Sequence, residues 1–123
     1  MVRSELMEKR QKKILSFRML RENWDGYGAY PLEIESASNA INFVASFSET
    51  ELKSLKEIYP NPHGTISFEW VNSMGEELHL EIGNKVMSYY TALASDDIPK
   101  FFNEKETNFN EFSKIKKFLQ ILG

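Results

Sequence analysis

Glu69, His79 and Ser88 are the residues in this 123-residue chain whose types and spacing come closest to a reaction. An acid, an imidazole and a hydroxyl are the parts of a hydrolytic triad, in which the acid orients the imidazole and the imidazole takes the hydroxyl proton. All three fall in segments with strand alternation. Thr65–Val71 puts Ile66, Phe68 and Trp70 on one side and Ser67, Glu69 and Val71 on the other. Glu77–Ile82 puts Leu78, Leu80 and Ile82 inward and His79 outward. An odd loop is needed to bring both apolar sets to one face, and a five-residue loop over 72–76 pairs Trp70 with Leu78 and Glu69 with His79. Taking Gly83-Asn84 as a two-residue turn pairs Glu81 with Val86, Leu80 with Met87 and His79 with Ser88. The three polar residues then form one row across three strands. A working triad also needs an oxyanion hole, a cleft and an exposed nucleophile. The residues around the row (Ser67, Glu77 and Glu81) describe a flat polar surface instead. A solvated sheet face is therefore the first reading, and a small hydrolase or metal-dependent enzyme built on Glu69, His79 and Ser88 is the alternative.

Metal chemistry has the right donor types in Glu69, His79 and Glu81, but the acids flank the imidazole rather than converge on a point with it. His63 lies in a turn, and the absence of cysteine removes thiolate sites and disulfides. No metal and no other cofactor is expected. Gly26-Tyr27-Gly28 lacks the preceding strand and the lysine of a phosphate loop.

The elements that must position these residues are legible from periodicity. Residues 4–21 read as a helix capped by Ser4, with Leu6, Arg10, Ile14, Phe17 and Leu20 near one face. Residues 33–47 read as a second, with Ile34, Ala37, Ile41 and Val44 inward. Ser48-Glu49-Thr50-Glu51 has the form of a capping box opening a short helical turn. Tyr59-Pro60-Asn61-Pro62-His63-Gly64 ends helical grammar and suits a type I turn. Ile58-Tyr59 offers an edge strand, and Phe101-Phe102 is expected to pack back onto the core. Residues 108–122 read as a last helix, with Phe109, Phe112, Ile115, Leu119 and Leu122 on one stripe. The expected fold class is α+β over a single domain, 1–123: two N-terminal helices, an antiparallel three- to four-stranded meander, and a C-terminal helix packed on the sheet.

Net charge is −3, unevenly spread. Residues 1–21 carry seven Lys/Arg against two Glu, residues 22–83 two Lys against eleven acids, and residues 84–123 six Lys against five acids. Lys9, Arg10, Lys12 and Lys13 would circle a helix rather than form a stripe, and no nucleic-acid motif accompanies them, so nucleic acid is not the expected partner. No apolar run reaches membrane-spanning length and no signal-peptide core follows Met1, which makes the expected location cytoplasmic.

Asn23-Trp24-Asp25-Gly26-Tyr27-Gly28-Ala29-Tyr30-Pro31 encodes a specific packed turn: Asx side chains that bond local amides, glycines that admit positive φ, and an indole that needs a carbonyl. A buried Trp24 would cost about 3–5 kcal/mol on truncation to alanine. The alternative is an exposed binding spot made of Trp24, Asp25, Tyr27 and Tyr30. This stretch, with Pro60, Pro62, Gly64, Ile66 and Glu69-Trp70, resembles an uncharacterised bacterial small-protein family bearing an N-W-D-x-x-G-A-x-P turn motif and a G-x-I-x-x-E-W strand motif. The resemblance covers roughly residues 20–90 and implies no activity, cofactor or catalytic residue; Glu33 stands where a Ser/Thr-type helix cap would be expected. The lack of a convergent catalytic set, the many aromatics and the oppositely charged segments make the expected function that of a non-enzymatic intracellular bacterial protein that binds another protein or itself, in an accessory or antitoxin-like role.

Overall fold

The computed structural model describes residues 5–123, the side chain of Phe109 excepted. Four helices and five strands follow in the order α1 (Glu5–Phe17), α2 (Ile34–Ala45), α3 (Glu49–Ser54), β1 (Leu55–Pro60), β2 (Ile66–Val71), β3 (Glu77–Ile82), β4 (Val86–Ala92), β5 (Lys100–Glu106) and α4 (Phe109–Leu122). The fold is α+β, with an antiparallel sheet and helices at both ends of the chain. The sheet is a five-stranded meander in sequence order, one strand more than the widest expectation. The expected Ser4 cap, and Phe109 as a member of the last helix's stripe, fall outside the described residues.

The buried sheet side chains stand on one face: Leu55, Ile58, Ile66, Phe68, Trp70, Leu78, Leu80, Ile82, Met87, Tyr89 and Thr91. The helices cover it with Ile14 and Phe17 from α1, Phe43 and Val44 from α2, Leu52 from α3, and Ile115 and Leu119 from α4. The result is two layers, helices over sheet. Phe43 is the centre of the seam, with ring contacts to Phe47, Phe68, Trp70 and Phe112 at centroid distances of 4.6, 5.7, 6.3 and 4.7 Å. Among the described residues no helix is long and apolar enough to cross a membrane.

The Trp70–Leu78 and Glu69–His79 pairings occur as expected, because only an odd loop buries both apolar sets. The next hairpin corrects the expected register. Gly83 N–H bonds Val86 O at 3.0 Å, so the two central turn residues are Asn84 and Lys85, and Ile82 pairs with Met87, Glu81 with Ser88, Leu80 with Tyr89 and His79 with Tyr90. The cause lies outside the hairpin. Asn84 Oδ1 accepts the Ser36 amide of α2 at 3.0 Å, and Asn39 Nδ2 donates to Gly83 O and Asn84 O at 3.0 and 2.9 Å. The turn thereby caps a helix 48 residues earlier, where Glu33 makes no side-chain cap bond. The face of α2 also differs from the expected one: its buried residues are Ser36, Ala37, Ala40, Phe43 and Val44, while Ile34 is 77% exposed. The capping box of α3 forms as read, Glu51 N to Ser48 Oγ at 3.2 Å and Ser48 N to Glu51 Oε1 at 2.8 Å.

Tyr89 ties α4 to the sheet. Its ring stacks on Phe102 at 4.6 Å, and burial, with the Glu111 carboxylate nearby, pushes its hydroxyl up to about 12. In the unfolded chain it would ionise near 10. The folded chain therefore holds the proton longer, and this stabilisation is complete below pH 10 and drains away as pH rises toward 12. Tyr89→Phe is expected to flatten the alkaline fall in stability by on the order of 1–2 kcal/mol, allowing for solvent near the hydroxyl. Urea unfolding at pH 9 and at pH 12 measures it; an unchanged fall would contradict a buried hydroxyl against Glu111.

Candidate functional site

Because the helices all lie on one side, the opposite face of the sheet is open. Alternation fixes what it presents: Tyr59 from β1, Ser67 and Glu69 from β2, Glu77, His79 and Glu81 from β3, Ser88 and Tyr90 from β4, and Phe101 from β5. An open hollow of about 240 Å³ lies on this face, walled by Tyr59, His79, Tyr90, Phe101, Glu81 and Asn103 among others. Its rings form a ladder across strands, His79 stacked on Tyr90 at 4.5 Å and Tyr90 against Phe101 at 5.5 Å.

The polar contacts on this face are shared between acids, histidines and hydroxyls. Tyr59 Oη donates to Glu69 Oε1 at 3.1 Å. His79 Nδ1 lies 3.4 Å from Glu69 Oε1 and Nε2 lies 3.6 Å from Glu77 Oε2. Glu81 Oε2 takes the Thr65 hydroxyl at 2.7 Å and contacts His63 Nε2 at 2.5 Å. Burial works to raise the Glu81 carboxyl, but the bonds from Thr65 and His63 outweigh it and hold the group below the usual range. Burial, and then the neighbouring carboxylates Glu69 for Tyr59 and Glu77 for Tyr90, push both tyrosine hydroxyls up. The face is thus an anionic surface studded with rings.

The proposed catalytic row divides here. Glu69 and His79 are brought together, but Ser88 sits opposite Glu81, and its Oγ accepts the Glu104 amide at 3.1 Å. The two-residue shift of the hairpin kept every side chain on its expected face and moved Ser88 away from the imidazole. His79 has a carboxylate beside each ring nitrogen and Tyr90 stacked on its face. Among the described residues no three His, Asp or Glu side chains are grouped to hold a metal ion.

The Trp24 segment is a different structure, a loop braced by its own side chains. Asn23 has φ 64°; its amide donates to Ala29 O at 2.6 Å and its Oδ1 accepts from Gly28 N at 2.7 Å. Asp25 Oδ1 accepts from the Tyr27 and Ala29 amides at 2.8 and 3.1 Å, and Trp24 Nε1 donates to Tyr30 O at 3.0 Å. Trp24 and Asp25 are half-buried and occupied with the loop itself, whereas Tyr27 and Tyr30 are 93% and 65% exposed. The loop docks on the proline turn, Tyr30 N to Pro62 O at 2.7 Å and Glu33 N to Gly64 O at 2.9 Å. The two conspicuous motifs of the sequence are thus the two halves of one contact.

Sequence did not mark Tyr59, Tyr90 or Phe101 as site residues; of the Phe101-Phe102 pair expected on the core, only Phe102 packs there, and Phe101 is 66% exposed on the other face. A signal was present: in Tyr89-Tyr90 and in Phe101-Phe102, adjacent aromatics on a strand must face opposite sides, so one ring of each pair belongs to the polar face in any register.

Compared with known proteins, the chain matches no family model, no curated protein and no solved structure.

Proposed function

We propose that this protein works inside the cell by binding another protein, in an accessory or antitoxin-like manner, and that the open sheet face is its binding surface. The observation that carries the reading is the uncovered side of the sheet, where the rings of Tyr59, His79, Tyr90 and Phe101 lie among Glu69, Glu77 and Glu81. Aromatic side chains of this kind concentrate binding energy in protein interfaces. Addition of a strand at a sheet edge is less suited to this molecule. The β5 edge carries Lys100, Glu104, Lys105 and Glu106 with a register shift opposite Met87–Tyr89, and β1 carries Pro60 and a bulge at Leu55–Glu57. A hydrolytic reading retains only the Glu69–His79 contact.

Tyr90→Leu/Phe101→Leu tests the proposal, since both positions face away from the core. Tagged wild type and the double variant, each shown folded by circular dichroism, are used for quantitative affinity capture from the source organism. A partner held by wild type should be depleted about tenfold or more on the variant. Equal retention of the same proteins by both would overturn the assignment of this face.

A further inference from the structure

The charge of the open face restricts what it can receive. Elsewhere on the molecule several acids pair with lysines, as in Lys100–Asp96, Lys114–Glu111 and Lys116–Glu51, and at the β1 edge of the open face Lys13 pairs with Glu57. On the open face, among the described residues, the ion-pair partners of Glu69, Glu77 and Glu81 are the histidines 79 and 63 alone. Among the described residues no lysine or arginine lines the hollow. Among the described residues Glu69, Glu77 and Glu81 therefore have no lysine or arginine as an ion-pair partner.

We propose that the hollow receives an arginine side chain of the partner protein, its guanidinium facing Glu69 and Glu81 and its aliphatic stem lying against Tyr90 and Phe101. This rests on the protein-binding reading above and adds the chemistry of the occupant. Glu69 and Glu81 flank Ser67, which lines the hollow, Glu69 two residues along β2 and Glu81 directly across on β3. A planar fork of N–H donors can engage both carboxylates, which the point charge of a lysine does less well. The rings supply the apolar wall that a long cationic side chain covers with its methylenes. Arginine is also enriched at protein interfaces, where lysine is depleted.

The test uses the full chain and three blocked tripeptides, Ac-Gly-Arg-Gly-NH2 and its lysine and citrulline counterparts, titrated by amide-resolved NMR. Citrulline keeps the shape and removes the charge. Saturable shifts are expected at the amides of residues 79–81, 88–90 and 101–103, with citrulline at least about tenfold weaker and lysine in between. Glu69→Gln/Glu81→Gln should abolish the preference for arginine over citrulline while the chain stays folded, and Phe101→Leu should weaken the arginine peptide without changing that preference. Absence of saturable shifts on this face, or equal shifts from arginine and citrulline, overturns the proposal. If a captured partner still depends on Tyr90 and Phe101 while the arginine peptide is inert, the binding surface stands and the arginine assignment falls. Sedimentation as a dimer that Tyr90→Leu/Phe101→Leu converts to monomer would give the face to a second copy and also overturn it.

Discussion

Trp70→Ala is expected to lower the unfolding free energy by about 3–5 kcal/mol, the largest effect of any single truncation in this chain. The indole is 1% exposed, at the middle of the covered face. It stacks on Phe68 at 5.8 Å, meets Phe47 edge-on at 5.7 Å and Phe43 at 6.3 Å, and its N–H points to Glu51 O at 3.4 Å. Truncation removes the ring that joins β2 to α2 and to the segment after it, and the surrounding rings are too rigid to close over the space. Urea unfolding followed by far-ultraviolet circular dichroism measures the loss. Trp24→Ala is the natural comparison: its ring is only half-buried, and its cost should fall well below the roughly 3–5 kcal/mol expected of a core tryptophan. Equal costs would mean that the two indoles have the same structural weight, contrary to their burial.

Gly64→Ala should destabilise the fold by about 2–4 kcal/mol, through backbone strain and a collision acting together. Gly64 has φ 98°, and a Cβ placed there would lie 2.8 Å from Glu33 Cγ and 3.2 Å from Pro31 O. The Pro31 oxygen belongs to the backbone of the docked Trp24 loop, so it cannot step aside without breaking the Tyr30–Pro62 and Glu33–Gly64 bonds. Gly26 separates the two contributions. It has φ 80°, and a methyl group added there would meet nothing within 4 Å, so Gly26→Ala reads strain alone and should cost about 1–2 kcal/mol. The difference between the two variants, from chemical denaturation, reports the docking contact. No difference would contradict the mutual seating of the Trp24 loop and the proline turn.

Much of this was legible in the residues. Strands β2 and β3 and their register followed from two alternating runs and the parity of one loop, since any one-residue slip would have turned Phe68 and Trp70 to solvent. The capping box at Ser48 and the Asx-braced turn at Asn23–Ala29 are local, and local chemistry reads well. What failed was set at a distance. Gly83-Asn84 looked like an ordinary two-residue turn, but Asn84 is committed to the amide of Ser36, and the turn centres one residue later. That displacement took Ser88 from His79 to Glu81 and dissolved the row on which hydrolysis depended. Strand β5 was hidden because Lys100–Glu106 is a half-exposed edge, broken by a register shift and by Glu104 at φ 51°, with no clean alternation to read. The open face itself could be drawn from the polar positions of three strands. Its aromatic ladder could not, because the ladder needs β1, β4 and β5 in their true registers.

Partners are proposed to meet this protein on the uncovered side of its sheet. A photo-crosslinking amino acid, p-benzoylphenylalanine, placed singly at positions 90, 101, 27, 30 and 121 in cells of the source organism, tests it directly. Covalent adducts with the same protein are expected from positions 90 and 101, and none from 121, which is exposed on α4. Adducts confined to positions 27 and 30 would move the binding surface to the Trp24 loop and contradict it.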